Sequence, residues 1–162
     1  GRLPVTFPVH EGQLPLVYNH KPTGRGDDYL NLTGQPLFPF GFGLSYTGFE
    51  YSDLQITKGK EENSFTATFN LTNTGSLDGD EVVQLYIRDL LASVARPVTE
   101  LKGFSRLALK AGETRQVTFS ITPGMLQMLD INLKPVVEPG DFRIMIGASS
   151  KDIRLSGMVR VE

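Results

Sequence analysis

An all-β fold, an antiparallel two-sheet sandwich preceded by an extended and mostly irregular docking arm, is what this sequence predicts, on three observations. From Phe49 onward the apolar residues recur with a period of two. Glycine and Asx clusters punctuate that region at short intervals. Residues 1–48 are rich in proline and show little periodicity.

The arm comes first. It holds both histidines and most of the prolines, and nearly fifty residues without regular elements is abnormal inside a compact domain. Leu3, Val5, Phe7, Leu14, Leu16, Val17 and Tyr18 give it a hydrophobicity that disordered segments lack, so order gained by lying on a surface is expected. Its last part, Pro36 to Thr47, packs Phe38, Phe40, Phe42 and Tyr46 beside two prolines and the alternating Gly41 and Gly43. A free linker would be rich in Gly and Ser instead. The aromatics are expected to form a wedge between two bodies. With Gly1 rather than methionine at its start, the chain is expected to be part of a larger one.

Strands follow in residues 49–162. Phe65, Ala67, Phe69 and Leu71 alternate with Thr66, Thr68, Asn70 and Thr72, and Val83, Leu85 and Ile87 with Gln84, Tyr86 and Arg88. Val117, Phe119 and Ile121, then Phe142, Ile144 and Ile146, then Leu155, Gly157, Val159 and Val161 repeat the pattern. Period two with one apolar set marks a sheet with one buried face. Asn73-Thr74-Gly75, Asp78-Gly79-Asp80, Ala111-Gly112-Glu113 and Glu138-Pro139-Gly140 supply the turns. Pro123 to Asp130 is the one helical suggestion, a turn or two on a sheet-to-sheet crossing. About seven short strands with such turns read as a sandwich of the immunoglobulin or fibronectin type III kind.

Composition narrows the function classes. A net charge of −2 leaves no nucleic-acid footprint, and no apolar run is long enough to span a membrane. The absence of cysteine excludes disulfides and thiol chemistry.

Three blocks, in order, resemble the C-terminal end of glycoside hydrolase family 3, the β-glucosidase and β-xylosidase family. Gly1-Arg2-Leu3-Pro4-Val5-Thr6-Phe7-Pro8 is similar to the exit from that family's α/β-sandwich domain. Pro39-Phe40-Gly41-Phe42-Gly43-Leu44-Ser45-Tyr46-Thr47 is similar to the connector into its third domain. That fibronectin type III-like domain is resembled by Asn73-Thr74-Gly75, Glu81-Val82-Val83-Gln84-Leu85-Tyr86, Arg96-Pro97-Val98, Glu100-Leu101-Lys102-Gly103-Phe104 and Glu138-Pro139-Gly140-Asp141-Phe142. Tyr18-Asn19-His20-Lys21-Pro22-Thr23-Gly24-Arg25 resembles the arm of periplasmic-type β-glucosidases.

The resemblance implies that residues 1–48 are the end of the α/β domain and an interdomain arm. It implies retaining hydrolysis of β-glucosides or related oligosaccharides by a parent enzyme, without metal or organic cofactor. The two carboxylates that such chemistry needs about 5–5.5 Å apart would lie upstream, so no catalytic residue is expected here. Partners would be the upstream barrel and α/β domains, with a homodimer left open, in a periplasmic or secreted setting. Tyr18, Asn19, His20 and Lys21 are the candidates for touching sugar at an outer subsite, against the plainer role of pinning the arm.

Other candidates have plainer readings. Asp27-Asp28, Glu61-Glu62 and Asp78, Asp80 and Glu81 sit in polar clusters suited to solvated loop charge, and Asp130 fits a turn. Asp78-Gly79-Asp80-Glu81 lacks the ligand spacing of a calcium loop, so a hairpin turn is expected. His10 and His20 fall short of a zinc site, which takes three or four ligands. Asn31-Leu32-Thr33 and Asn70-Leu71-Thr72 match a glycosylation pattern that chance often produces, Asn70 being a solvent-facing strand position. The rival function is a stand-alone carbohydrate-binding or adhesion module. Tyr51 and Tyr86 are its only outward tyrosines, and there is no Trp.

Overall fold

The computed structural model describes residues 1–23, 28 and 33–162. Its strands are β1 (Phe49–Lys58), β2 (Phe65–Asn73), β3 (Gly79–Asp89), β4 (Glu100–Leu109), β5 (Thr114–Ile121), β6 (Met128–Leu129), β7 (Pro135–Val136), β8 (Gly140–Gly147) and β9 (Ile153–Val161). One sheet runs β1-β2-β5 and the other β4-β3-β8-β9, all neighbours antiparallel. β6 and β7 form a small separate ladder.

The period-two pattern sets which side chains face inward. In β2 buried and half-buried positions alternate without a break from Phe65 to Asn73. Its inward Phe65, Ala67, Phe69 and Leu71 meet Val83, Leu85, Ile87, Phe142, Ile144 and Ile146 from the other sheet. Removing each large apolar side chain from water contributes roughly 1.5–3 kcal/mol. On the outer face the threonines pair across strands, Thr68 with Thr118 at 3.3 Å and Thr72 with Thr114 at 2.8 Å. Asn73 closes β2 from inside the fold: its amide donates to the Leu77 and Leu109 carbonyls, and its Oδ1 accepts from the Thr47 hydroxyl and the Gly75 amide.

Several expectations are corrected. The Pro123–Asp130 stretch is helical only over Pro123–Leu126, because Met128 and Leu129 turn extended to pair with Val136 and Pro135. Gly79 and Asp80 are not a hairpin turn but the first residues of β3, which Asp80 joins to β4 through an ion pair with Arg106. Phe119 faces inward between Val117 and Ile121 yet stays partly exposed, since β5 is an edge strand. The largest departure is β3, where Gln84 and Tyr86, expected in water, are buried as fully as Val83 and Leu85.

These positions give a graded stability prediction. Phe69→Ala should lower unfolding stability by about 3–5 kcal/mol through a cavity at the sandwich centre. Phe119→Ala should cost about 2 kcal/mol, because part of its ring already faces water. Thr118→Ala should stay within about 0.5 kcal/mol. Urea midpoints of the three variants check the order; a Phe119 variant as costly as the Phe69 variant would contradict the edge placement.

Candidate functional site: the arm-bearing face of the sandwich

The second face of β3 is buried because the arm lies on it. Gln84 Nε2 donates to the Gly41 carbonyl at 3.1 Å and to the Ala148 carbonyl at 2.8 Å, while its Oε1 accepts from the Tyr86 hydroxyl. Gly41 sits at φ +81°, and a Cβ there would lie 2.1 Å from Gln84 Oε1. No other residue type meets both conditions. Tyr18 stacks on Phe40 at 4.1 Å and stands edge-on to Tyr86 at 6.2 Å. Its hydroxyl accepts from the Leu101 amide at 3.2 Å, and the His20 carbonyl accepts from the Val98 amide at 2.9 Å.

At the end of the sandwich where β3 begins, Arg2 enters between the sheets. Its guanidinium pairs with Glu81 Oε1, which also accepts from the Tyr51 hydroxyl at 3.0 Å, and its other nitrogen donates to the Gly43 carbonyl at 3.1 Å. Glu81 faces inward on the same side as Val83 and is almost wholly buried. It was expected as solvated turn charge; the neighbouring Arg2 makes its burial tolerable. Burial, reinforced by the adjacent Glu81 carboxylate, drives the Tyr51 hydroxyl far above the ordinary tyrosine range. Tyr86 moves the same way, chiefly through burial. Tyr51 points into the core and Tyr86 lies on the outer face beneath the arm, so neither offers a stacking face to a sugar.

The rest of the arm is organised by the buried Gln13. Its Oε1 accepts from the Val9 and His10 amides, and its Nε2 donates to the Thr33 and Gln35 carbonyls. His10 Nδ1 caps a short 3-10 turn (Glu11–Gln13) by accepting from Gly12. Between arm and sandwich opens a cleft of about 270 Å³ whose lining includes Gln13, Tyr18, His20, Asp28, Ser150 and Lys151.

Of the four sugar-contact candidates, Tyr18 is held in the stack, His20 is half-buried at the cleft, and Asn19 and Lys21 are exposed. Asp28 Oδ1 accepts from the Gly34 amide at 3.0 Å. Glu61 and Glu62 lie in the exposed β1–β2 turn, Asp78 accepts from the Ala111 amide, and Asp130 Oδ1 accepts from the Asn132 and Lys134 amides. Asn70 donates to Asp53 on the outer face of β2. Asp27, Asn31 and Leu32, with Gly24 and Arg25 of the arm motif, lie outside the described residues. Asp89 was not foreseen: burial pushes its carboxyl above the usual range, while its bond from the Leu91 amide pulls it back. No group of three or more His, Cys, Asp or Glu among the described residues could hold a metal ion. No helix among them is long and apolar enough to cross a membrane.

Comparison with known proteins follows the same geography. The fibronectin type III-like domain family matches residues 81–150. A β-xylosidase of Formosa agariphila is 47% identical over 157 residues, covering 93% of this chain and 22% of that protein. A periplasmic β-glucosidase of Salmonella typhimurium is 38% identical over 166 residues, covering 95% of this chain and 22% of that protein. Among solved structures, a β-glucosidase involved in saponin metabolism from intestinal bacteria superposes with a TM-score of 0.93 at 41% identity, over 100% of this chain and 22% of that one. The likeness therefore runs through arm and sandwich together, and the chain spans about a fifth of the length of the curated relatives it matches.

The buried pair can be tested directly. Arg2→Ala should destabilise the chain by about 3 kcal/mol or more, because Glu81 keeps a buried charge with its cation gone. The double variant Arg2→Met with Glu81→Leu should recover most of that loss in urea unfolding, since apolar side chains of similar size replace both charges. A double variant as weak as the single would show that the pair is not what holds this end together.

Proposed function

The chain belongs to the C-terminal region of glycoside hydrolase family 3, with its fibronectin type III-like domain, and from that premise we propose that it is the supporting part of a β-glucosidase-type enzyme. The parent hydrolyses β-glucosides or related oligosaccharides with retention, using carboxylates on domains that precede Gly1. The observation that carries this reading is the docked arm. The arm is tied to the sandwich through Arg2, Gly41, Tyr18 and Phe40, so it is built as a docked connector and not as a free linker.

The carboxylates support a structural role for this part. A retaining glycosidase sets an acid and a nucleophile about 5–5.5 Å apart across the sugar. Here Glu81 is committed to Arg2 and Tyr51, Asp89 to the Leu91 amide, and Asp130 to its own turn. The buried tyrosines and the relatives' names weigh against a stand-alone sugar-binding module.

Tyr18, Asn19, His20 and Lys21 act, in this proposal, mainly to fix the arm, with His20 at the cleft and bonded through its carbonyl to Val98.

Two outcomes are expected. The purified chain should not hydrolyse aryl β-glucosides or β-xylosides above buffer, whereas the full-length protein should. Turnover by the chain that a carboxylate substitution abolishes would sink the proposal. In the full-length enzyme His20→Ala should lower the melting temperature and leave KM unchanged. A rise in KM confined to longer oligosaccharides, at unchanged melting, would assign His20 to a subsite instead.

A further inference from the structure

We propose that Arg88 and Arg143, on the outer face of the four-stranded sheet, form a grip for the carboxylate of an acidic saccharide such as a uronic acid. The grip follows from these side chains alone. The choice of a saccharide as carrier rests on the reading of the chain as part of a β-glycoside hydrolase.

Unpaired charge singles these two residues out. Arg2, Arg96, Arg106, Arg115, Arg154 and Arg160 each hold a carboxylate, and Arg88 and Arg143 are the described arginines that hold none. The two stand directly opposite each other in the register of β3 and β8. Their neighbours Ile87, Phe142 and Ile144 take the core side of the sheet. Arg88 is half-buried, two positions beyond Tyr86 on the same face, and Arg143 is exposed. No acid on this face is free to meet them: Asp141 lies 3.7 Å from Arg160, and Asp89, opposite the inward Phe142, accepts from the Leu91 amide at 3.2 Å. Met158, the register partner of Arg143 on β9, is 48% exposed. Thr99, beside the register partner of Ile87 at the same end of β3, keeps a buried hydroxyl with no hydrogen-bond partner.

Like charges directly opposite each other across a sheet destabilise it, and an anion between the two guanidiniums removes that cost. Opposed side chains start about 5 Å apart at Cβ, so both can reach one carboxylate. Each guanidinium presents a planar fork of donors that matches the two oxygens of a carboxylate, and such charge-assisted bonds are stronger than neutral ones. The surroundings select the carrier. Ser156, Arg160 and Asp141 flank the pair on this face, and Met145 and Met158 are its apolar neighbours. A stable protein contact buries about 800 Å² on each partner around an apolar centre, which two methionines do not supply. A single polar ring suits them better: the exposed Met158 offers it an apolar edge and Ser156 a hydroxyl.

The test titrates the 162-residue chain with D-glucuronate and follows amide and arginine Nε–H signals by nuclear magnetic resonance. Shifts centred on Arg88, Arg143 and Met158 should saturate at millimolar concentration, whereas glucose at the same concentrations should leave them unmoved. Arg88→Gln and Arg143→Gln should each weaken glucuronate binding by about tenfold or more. Arg115→Gln, which removes the same charge from the other sheet, should change it by less than about twofold. Melting temperatures of the first two variants at or above the parent's, expected because a repulsion is gone, show that the lost binding is not unfolding. Acetate binding as tightly as glucuronate takes the sugar ring out of the site and overturns the saccharide assignment. Binding by the chain that is lost in the full-length enzyme puts a carboxylate of another domain in the grip and overturns it too. If neither glucuronate nor acetate moves Arg88 or Arg143 while the full-length enzyme still cleaves aryl β-glucosides, the grip is overturned and the proposed function stands. A full-length enzyme that cleaves no β-glycoside overturns the proposed function, and with it the choice of a saccharide as carrier.

Discussion

Burial of both faces of β3 is the constraint from which the rest of this structure follows. A sandwich strand ordinarily turns one face to the core and the other to water. Here the outer face carries Gln84 and Tyr86, whose polar atoms lose water and therefore need partners inside the fold. The arm supplies them. Gly41 brings a carbonyl to Gln84, Tyr18, itself stacked on Phe40, packs against Tyr86, and Arg2 neutralises Glu81. Arm and sandwich are one folded unit in the physical sense, because neither satisfies its polar groups without the other.

That constraint also explains what could be read from the sequence. β2, β5 and β8 alternate cleanly because their outer faces do meet solvent, so period two records their burial. β3 has the same alternation, but its polar-looking positions are buried by a segment more than forty residues away. Gln84 is 43 positions from Gly41, and Glu81 is 79 from Arg2. No local pattern reports a contact at that range. Tyr86 misled for the same reason, since a tyrosine in period two can point to water or to a docked segment; Tyr51 instead points into the core, where it stacks on Phe69. The arm itself was legible as ordered, since its aromatics and paired glycines make no sense in a solvated linker. Its register on the sheet was not.

The candidate site was legible as a place more than as a set of roles. The motif around Tyr18 marked the arm, and the structure brings Tyr18 and His20 to the cleft while leaving Asn19 and Lys21 toward solvent. Glu81 and Gln13, which hold the arm in place, gave no signal of their own. An acidic residue beside Asp78, Gly79 and Asp80 looks like a turn, and a glutamine between Gly12 and Leu14 looks like a loop. Their importance arises from what they satisfy, and those partners are remote in sequence.

The separation between Arg2 and Glu81 has a consequence during protein synthesis. The arm leaves the ribosome first, yet its ionic partner follows 79 residues later. At about 5–20 residues per second the arm waits on the order of 10 s before β3 exists to receive it. Through that interval Phe7, Phe38, Phe40 and Phe42 are newly made and have no sandwich beneath them. A nascent chain in this condition offers an attractive segment to chaperones, and the speed at which the ribosome crosses residues 49–90 sets how long the offer lasts.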